Sequence, residues 1–320
     1  MLRKIGFASA LSVITLTSIW SASASAEPLK VVASFSIIGD FARNVGGDRI
    51  LLTTLVGPDG DAHVYEPSPA DAVNMSKADV VLVNGLRFEG FLQRLVEASA
   101  TKASVVELTK GIEPLKMQEE EHDEAEDDQH DHGEFDPHAF QSISNAKVYV
   151  TNIAEAFCAA DAEGCDTYKA NAEAYTAKLD AADADVKAAV AAIPENERTI
   201  ITSHDAFGYF ENAYGITFLA PEGISTEAEA SAADVAALIR QVRDDKASAI
   251  FVENITNPRL IEQISAETGV KVVPVACDTV RLEVVGGLGE QQPDLGLAAG
   301  AGGAGLAVCD EVPAVDHAGL

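Results

Sequence analysis

From residue 30 onward, short apolar runs rich in Val, Ile and Leu alternate with amphipathic segments. Runs 30–36 (KVVASFS), 50–56 (ILLTTLV), 79–85 (DVVLVNG) and 103–108 (ASVVEL) have the length and β-branched content of buried strands, and segments 37–47, 68–78 and 89–100 between them carry apolar residues at helical spacing. Strands alternating with helices predict parallel βαβ units in a doubly wound sheet. The pattern breaks at 117 and resumes at 198, with strands over 198–203, 216–221, 247–254 and 270–276 and helices over 207–215, 231–246 and 258–269. Ser231 with Asp234 three residues on is an approximate capping box, and Pro258 suits a first helical turn. Between the two blocks, 145–160 and 167–193 read as helices, the second long and alanine-rich until Pro194. The fold class is therefore α/β, with two doubly wound α/β lobes (27–150 and 198–320) joined by a long backbone helix in a connecting region 151–197.

The start of the chain belongs to neither lobe. Arg3 and Lys4 precede an apolar run through Trp20, and small residues follow as far as Ala24-Ser25-Ala26. This is the layout of a secretory signal peptide over 1–26, with cleavage after Ala26. The run is short for a membrane span, which makes a transmembrane anchor the weaker reading. The residue directly after the cleavage point is Glu27 and not a cysteine, so the mature chain is expected to be exported and free of a lipid anchor. Without Arg3 and Lys4, 20 basic residues stand against 51 acidic ones, a net charge of −31. Such a surface repels nucleic acid and anionic lipid and concentrates cations. Of four cysteines, Cys158 and Cys165 bracket a short polar turn and are a plausible pair in an oxidising compartment; Cys277 and Cys309 are a second, open possibility.

Residues 117–140 hold four of the seven histidines and eleven carboxylates, with no lysine or arginine. The stretch 117–137 is too polar to fold on its own and is expected to be a loop. Its His122, His130 and His132 stand among carboxylates that bind cations, so the loop reads as an accessory metal segment. The bland alternative is a solvated linker whose histidines are incidental.

The remaining histidines fall at telling places. His63 lies past the strand over 50–56, His204 immediately past the strand over 198–203, and Asp278 immediately past the last strand, while His138 stands between the acidic loop and the next helix. Carboxyl ends of strands are where open α/β sheets bind ligands. Two candidates come from each half, so they can meet in the cleft between the lobes. Three imidazoles and a carboxylate suit a closed tetrahedral Zn²⁺ site; isolated surface histidines are the competing reading.

These residues resemble a known family, the zinc- and manganese-binding periplasmic solute-binding proteins of ABC transporters (cluster A-I). The resemblance covers roughly residues 28–280 and rests on VGPDGDAHVYEPSPAD, DPHAF, SHDAFGYF and FVENITNP. It implies metal held between two lobes by His63, His138, His204 and Asp278. Manganese members usually carry a glutamate where this chain has His204, and an acidic, histidine-bearing loop before DPH is typical of zinc members. The resemblance thus implies a monomeric periplasmic protein that captures Zn²⁺, with Mn²⁺ as the less favoured ion. It would hand the ion to a membrane ABC permease, with a zinc metallochaperone as a further candidate partner and with no catalysis and no membrane insertion. A periplasmic zinc buffer without a transporter is the alternative. A zinc hydrolase would need an open fourth position, which Asp278 closes. The chain departs from the family at Phe140, where tryptophan is usual, and over 279–320, where eight glycines between 286 and 305 argue against a packed helix.

Overall fold

The computed structural model describes residues 27–117, 134–224, 226, 230–245 and 247–274. Residues 1–26, expected to be a signal peptide, and His122, His130 and His132, Asp278, Cys277, Cys309 and residues 279–320 lie outside the described residues.

The N-terminal lobe is built on β1 (Leu29–Phe35), β2 (Ile50–Val56), β3 (Val80–Val83) and β4 (Ser104–Glu107), with helices α1 (Ser36–Gly46), α2 (Pro69–Lys77) and α3 (Leu92–Ser99) between them. The strands lie in the order β2-β1-β3-β4 and every pairing is parallel. The central strands β1 and β3 are covered on both faces, which is why β3 is an unbroken apolar run and β1 is apolar but for Lys30 and Ser34. The edge strand β4 is mostly exposed. Ser68 and Asp71 cap α2 reciprocally, and Asp71 also accepts from the Tyr65 hydroxyl at 3.0 Å, so the β2–α2 loop is closed onto its own helix.

Two long helices follow, α4 (Ile143–Ala160) and α5 (Cys165–Ala192). The Cys158–Cys165 disulfide joins them across their turn. Beside it Asp161 accepts from Arg49 Nη2 and from the Tyr168 hydroxyl, both at 2.7 Å, which ties the turn back to the end of α1. The connecting role of α5 is visible in what it buries. Tyr168, Tyr175 and Leu179 enter the large core of the N-terminal lobe, while Val190 packs with Phe210 and Ile216 of the second lobe.

That second lobe repeats the architecture at smaller scale. Strands β5 (Thr199–Ile201), β6 (Thr217–Leu219), β7 (Ala249–Val252) and β8 (Val272–Pro274) form a parallel sheet in the order β6-β5-β7-β8, with helices α6 (Gly208–Tyr214), α7 (Ala232–Asp245) and α8 (Arg259–Thr268). Its main core is aliphatic, around Ile201, Leu238, Ile250 and Ile264. Ser231 and Asp234 exchange backbone-to-side-chain hydrogen bonds at 3.3 and 3.2 Å, so α7 does begin with a capping box. Strand β5 is shorter than its apolar run predicts. The reason is local: the backbone N–H groups of Ser203 and His204 turn to Glu253 Oε1 at 2.9 and 3.3 Å, ending the ladder there. The base of the acidic loop is ordered as well, since Lys116 and Phe135 form an antiparallel bridge. Among the described residues no helix is long and apolar enough to cross a membrane.

The depth of α5 in the N-terminal core has a measurable consequence. Leu179 is fully buried, and Leu179→Ala is expected to lower unfolding stability by about 3 kcal/mol in urea titration. Lys178→Ala, on the exposed side of the same helix, is expected to change it by less than about 0.5 kcal/mol.

Candidate metal centre

Three of the candidate residues meet. His63, His138 and His204 are 7, 1 and 3 % exposed, and each offers a ring nitrogen within 4.8 Å of the others. His63 Nε2 and His138 Nε2 lie 3.1 Å apart. The His204 ring stands 5.8 Å from that of His63 and 5.3 Å from that of His138, centroid to centroid. His204 Nε2 is buried without a hydrogen-bond partner. Leaving such an atom unmatched costs about 1–3 kcal/mol, a cost that a metal ion in the cluster would remove.

What aims these nitrogens is a pair of carboxylates outside the predicted ligand set. Asp136 Oδ1 accepts from His138 Nδ1 at 2.8 Å and from the His138 backbone N–H at 2.9 Å. Glu253, at the end of β7, holds His204 through a close contact between Oε2 and Nδ1. In the neutral imidazole a proton held at Nδ1 leaves Nε2 as a lone pair, so both rings present a donor to the centre. Asp61 does the same for the backbone of His63, accepting from its N–H at 2.8 Å. The signal was present in the sequence: Asp61-Ala62-His63 and Asp136-Pro137-His138 share one D-x-H pattern.

The wall of the site is aromatic. The Phe88 ring lies 4.7 Å from that of His63 and 5.6 Å from that of His138, and Phe140 lies 5.9 Å from His138. Phe88 reaches this place through a tight turn after β3, in which Gly85, Leu86 and Arg87 all have positive φ. Two of these are not glycine, an arrangement that persists only where the surroundings enforce it. Glu89 does the enforcing. It is buried and accepts from Ser34 Oγ at 2.6 Å, Asn84 N at 2.6 Å and Gly85 N at 3.3 Å. Asn84 in turn donates to the Pro137 carbonyl at 2.8 Å, so the same network reaches the residue before His138.

Burial in this wall decides the charge of the imidazoles. It pushes the pKa of His63 down to about 3, with help from the two neighbouring rings. Burial also lowers His138, outweighing the opposing pull of Asp136. At His204 burial again acts downward, but the hydrogen bond and charge of Glu253 outweigh it and the pKa is raised. Two imidazoles are thus held neutral as ready donors, while the third keeps its proton longest. The other predicted members, Asp278 and the loop histidines His122, His130 and His132, lie outside the described residues.

Comparison with known proteins places the chain among periplasmic metal-binding proteins of two-lobe α/β fold. The family described as zinc-uptake complex component A, periplasmic, matches residues 31–294. The chain is similar to the manganese-binding lipoprotein MntA of Halalkalibacterium halodurans, 33% identical over 289 residues, 88% of this chain and 92% of the relative. It is also similar to the iron ABC transporter substrate-binding lipoprotein MtsA of Streptococcus pyogenes serotype M1, 33% identical over 83% of this chain and 85% of the relative. Among solved structures it resembles the Mn-bound periplasmic metal-binding protein from Candidatus Liberibacter asiaticus. That match has a TM-score of 0.65 and 28% identity and covers 76% of this chain and 88% of that one.

The raised pKa of His204 has a definite sign. Near pH 6.5, the ordinary imidazole value, a divalent ion entering the centre displaces a proton from His204, and affinity falls as the pH drops through that residue's pKa. Calorimetry in buffers of differing ionisation enthalpy is expected to count more than half a proton released per ion at that pH, and fewer as the pH is raised. Glu253→Gln removes the charge that raises His204, so the count should fall, together with a loss of affinity of roughly 10–100-fold.

Proposed function

The chain belongs to the family of the periplasmic zinc-uptake complex component A, and on that footing we propose that it captures Zn²⁺ outside the cytoplasm and presents it to a membrane ABC permease. At the coarser level the chain is a periplasmic metal-binding component of an ABC importer, in a family of solute-binding proteins. Zinc is our reading of its cargo.

The observation that supports zinc most directly is the convergence of three buried imidazoles, with the unpartnered Nε2 of His204 among them. Three nitrogen donors suit a borderline ion with tetrahedral habits better than Mn²⁺, which favours oxygen. In this reading His63, His138 and His204 each supply Nε2, and Asp278, following β8 in sequence, supplies a fourth ligand that closes the site. The aromatic wall keeps water away from the His63 and His138 side. His122, His130 and His132 act as a weaker, earlier capture segment leading into His138. Exchange proceeds by ligand release and involves no chemistry on the ion. Manganese or iron is the second reading, favoured by the names of the MntA and MtsA relatives.

Native mass spectrometry of metal-free mature protein, loaded from an equimolar Zn²⁺ and Mn²⁺ mixture, separates these readings. One tightly held zinc per chain is expected. His63→Ala, His138→Ala and His204→Ala should each weaken zinc binding by more than about a hundredfold. A chain that takes up manganese in preference, or that keeps its affinity without these histidines, overturns the reading.

A further inference from the structure

One local device holds both imidazoles of the N-terminal lobe. Asp61 Oδ1 accepts the backbone N–H of His63 at 2.8 Å, and Asp136 Oδ1 accepts that of His138 at 2.9 Å. Each is a side-chain-to-backbone turn that fixes where the ring two residues on must point. Each aspartate is also held a second time by a residue carried on the second half of the chain, Asp61 through its carboxylate and Asp136 through its backbone, the Tyr209 ring reaching into the N-terminal core to do so. Thr226 Oγ1 donates to Asp61 Oδ2 at 2.5 Å. The Tyr209 hydroxyl donates to the Asp136 carbonyl at 2.9 Å and accepts from Leu115 N at 3.0 Å, so it clasps both strands at the base of the acidic segment.

The two gripping residues both hang from the segment that carries His204. Tyr209 stands on α6, which begins directly after SHDAF. Its neighbour Gly208 comes so close that an added Cβ would lie 2.8 Å from Asp136 Oδ2. Thr226 follows Glu222, whose backbone bridges to His204 and whose carbonyl accepts from Asp205 N at 3.2 Å. Asn254, next to Glu253, adds a third tie to the loop of His63, donating to the Pro58 carbonyl at 3.1 Å and to Asp59 Oδ1 at 2.9 Å. Both aspartates that aim an N-terminal imidazole therefore have a contact that exists only while the second lobe is in place. Withdrawing that lobe removes His204, takes the Thr226 donor from the Asp61 carboxylate that orients His63, and takes the Tyr209 donor from the Asp136 backbone, whose own carboxylate orients His138.

We propose that Tyr209 and Thr226 are positioning residues that make the aim of His138 and His63 depend on lobe closure, so that separation of the lobes dismantles all three metal ligands together. The inference rests on the metal-capture reading above. It assigns the hydroxyls of Tyr209 and Thr226 to the rate of ion release, while the donor set determines which ion is held.

The test uses the full mature chain loaded with Zn²⁺, with release into excess chelator followed in a stopped-flow instrument. Tyr209→Phe and Thr226→Val should each still hold one zinc by native mass spectrometry and release it about tenfold faster than wild type. The double variant should release faster than either. Thr226→Ser, which restores the donor, should return the rate towards wild type. Tyr209→Phe also removes two hydrogen bonds and so lowers the metal-free thermal midpoint somewhat. Leu179→Ala, which lowers that midpoint at least as far without touching either aspartate, should therefore release zinc at close to the wild-type rate, as a general loss of packing would not. Release rates equal to wild type in both single variants overturn the inference, while zinc held by the wild type leaves the functional reading standing. A wild-type chain that holds no zinc overturns the functional reading itself.

Discussion

In Asp136–His138 and Glu253–His204 a carboxylate holds Nδ1 of an imidazole so that Nε2 is left facing its neighbours. The organisation of the centre depends on these contacts. Without them a buried histidine rotates, chooses either tautomer and satisfies itself with the nearest acceptor. With them, two rings from different lobes carry fixed lone pairs in an aromatic enclosure. The enclosure then acts through desolvation, keeping His63 and His138 neutral where an exposed imidazole would already take up a proton.

The two lobes contribute unequally. The N-terminal lobe and both long helices share one extensive core with many aromatic side chains, among them Phe41, Tyr149, Phe157 and Tyr175. The second lobe has a smaller aliphatic core and a satellite cluster against the end of α5. A strongly packed lobe that supplies two imidazoles, facing a lightly packed one that supplies the third, places the compliance of the protein on the His204 side. Local opening is expected where buried apolar contacts are fewest. This is also the side that hydrogen-bonds to the Asp61 carboxylate and the Asp136 backbone.

Much of the frame is legible along the chain. The β1, β2 and β3 runs, the long α5 and the capping box of α7 follow from periodicity and local chemistry, and each appears in the structure within a few residues of its expected place. The apolar run at β5 predicts a longer strand than forms, because apolarity alone does not show where a ladder ends. Glu253, about fifty residues away in sequence, takes the donors of Ser203 and His204 and stops it. The same distance hides the role of Glu253 from any local pattern. Asp136 is closer to legible, since it stands in the same D-x-H pattern as Asp61, yet the pattern does not say what the aspartate touches.

Spacing and composition within short windows suffice for the α/β class, the alternation of elements, the acidic charge and the residue types of a nitrogen-rich centre. They do not suffice for the convergence of His63, His138 and His204, or for the way their free nitrogens face one another. Nor do they reveal that Asp136 and Glu253 hold two of those rings, or that Tyr209 and Thr226 bond to Asp136 and Asp61. Apart from Asp136 and His138, such facts concern pairs far apart in the chain, brought together by the packing of two sheets across one helix. A local pattern encodes no distance between residues that meet only after the core has formed.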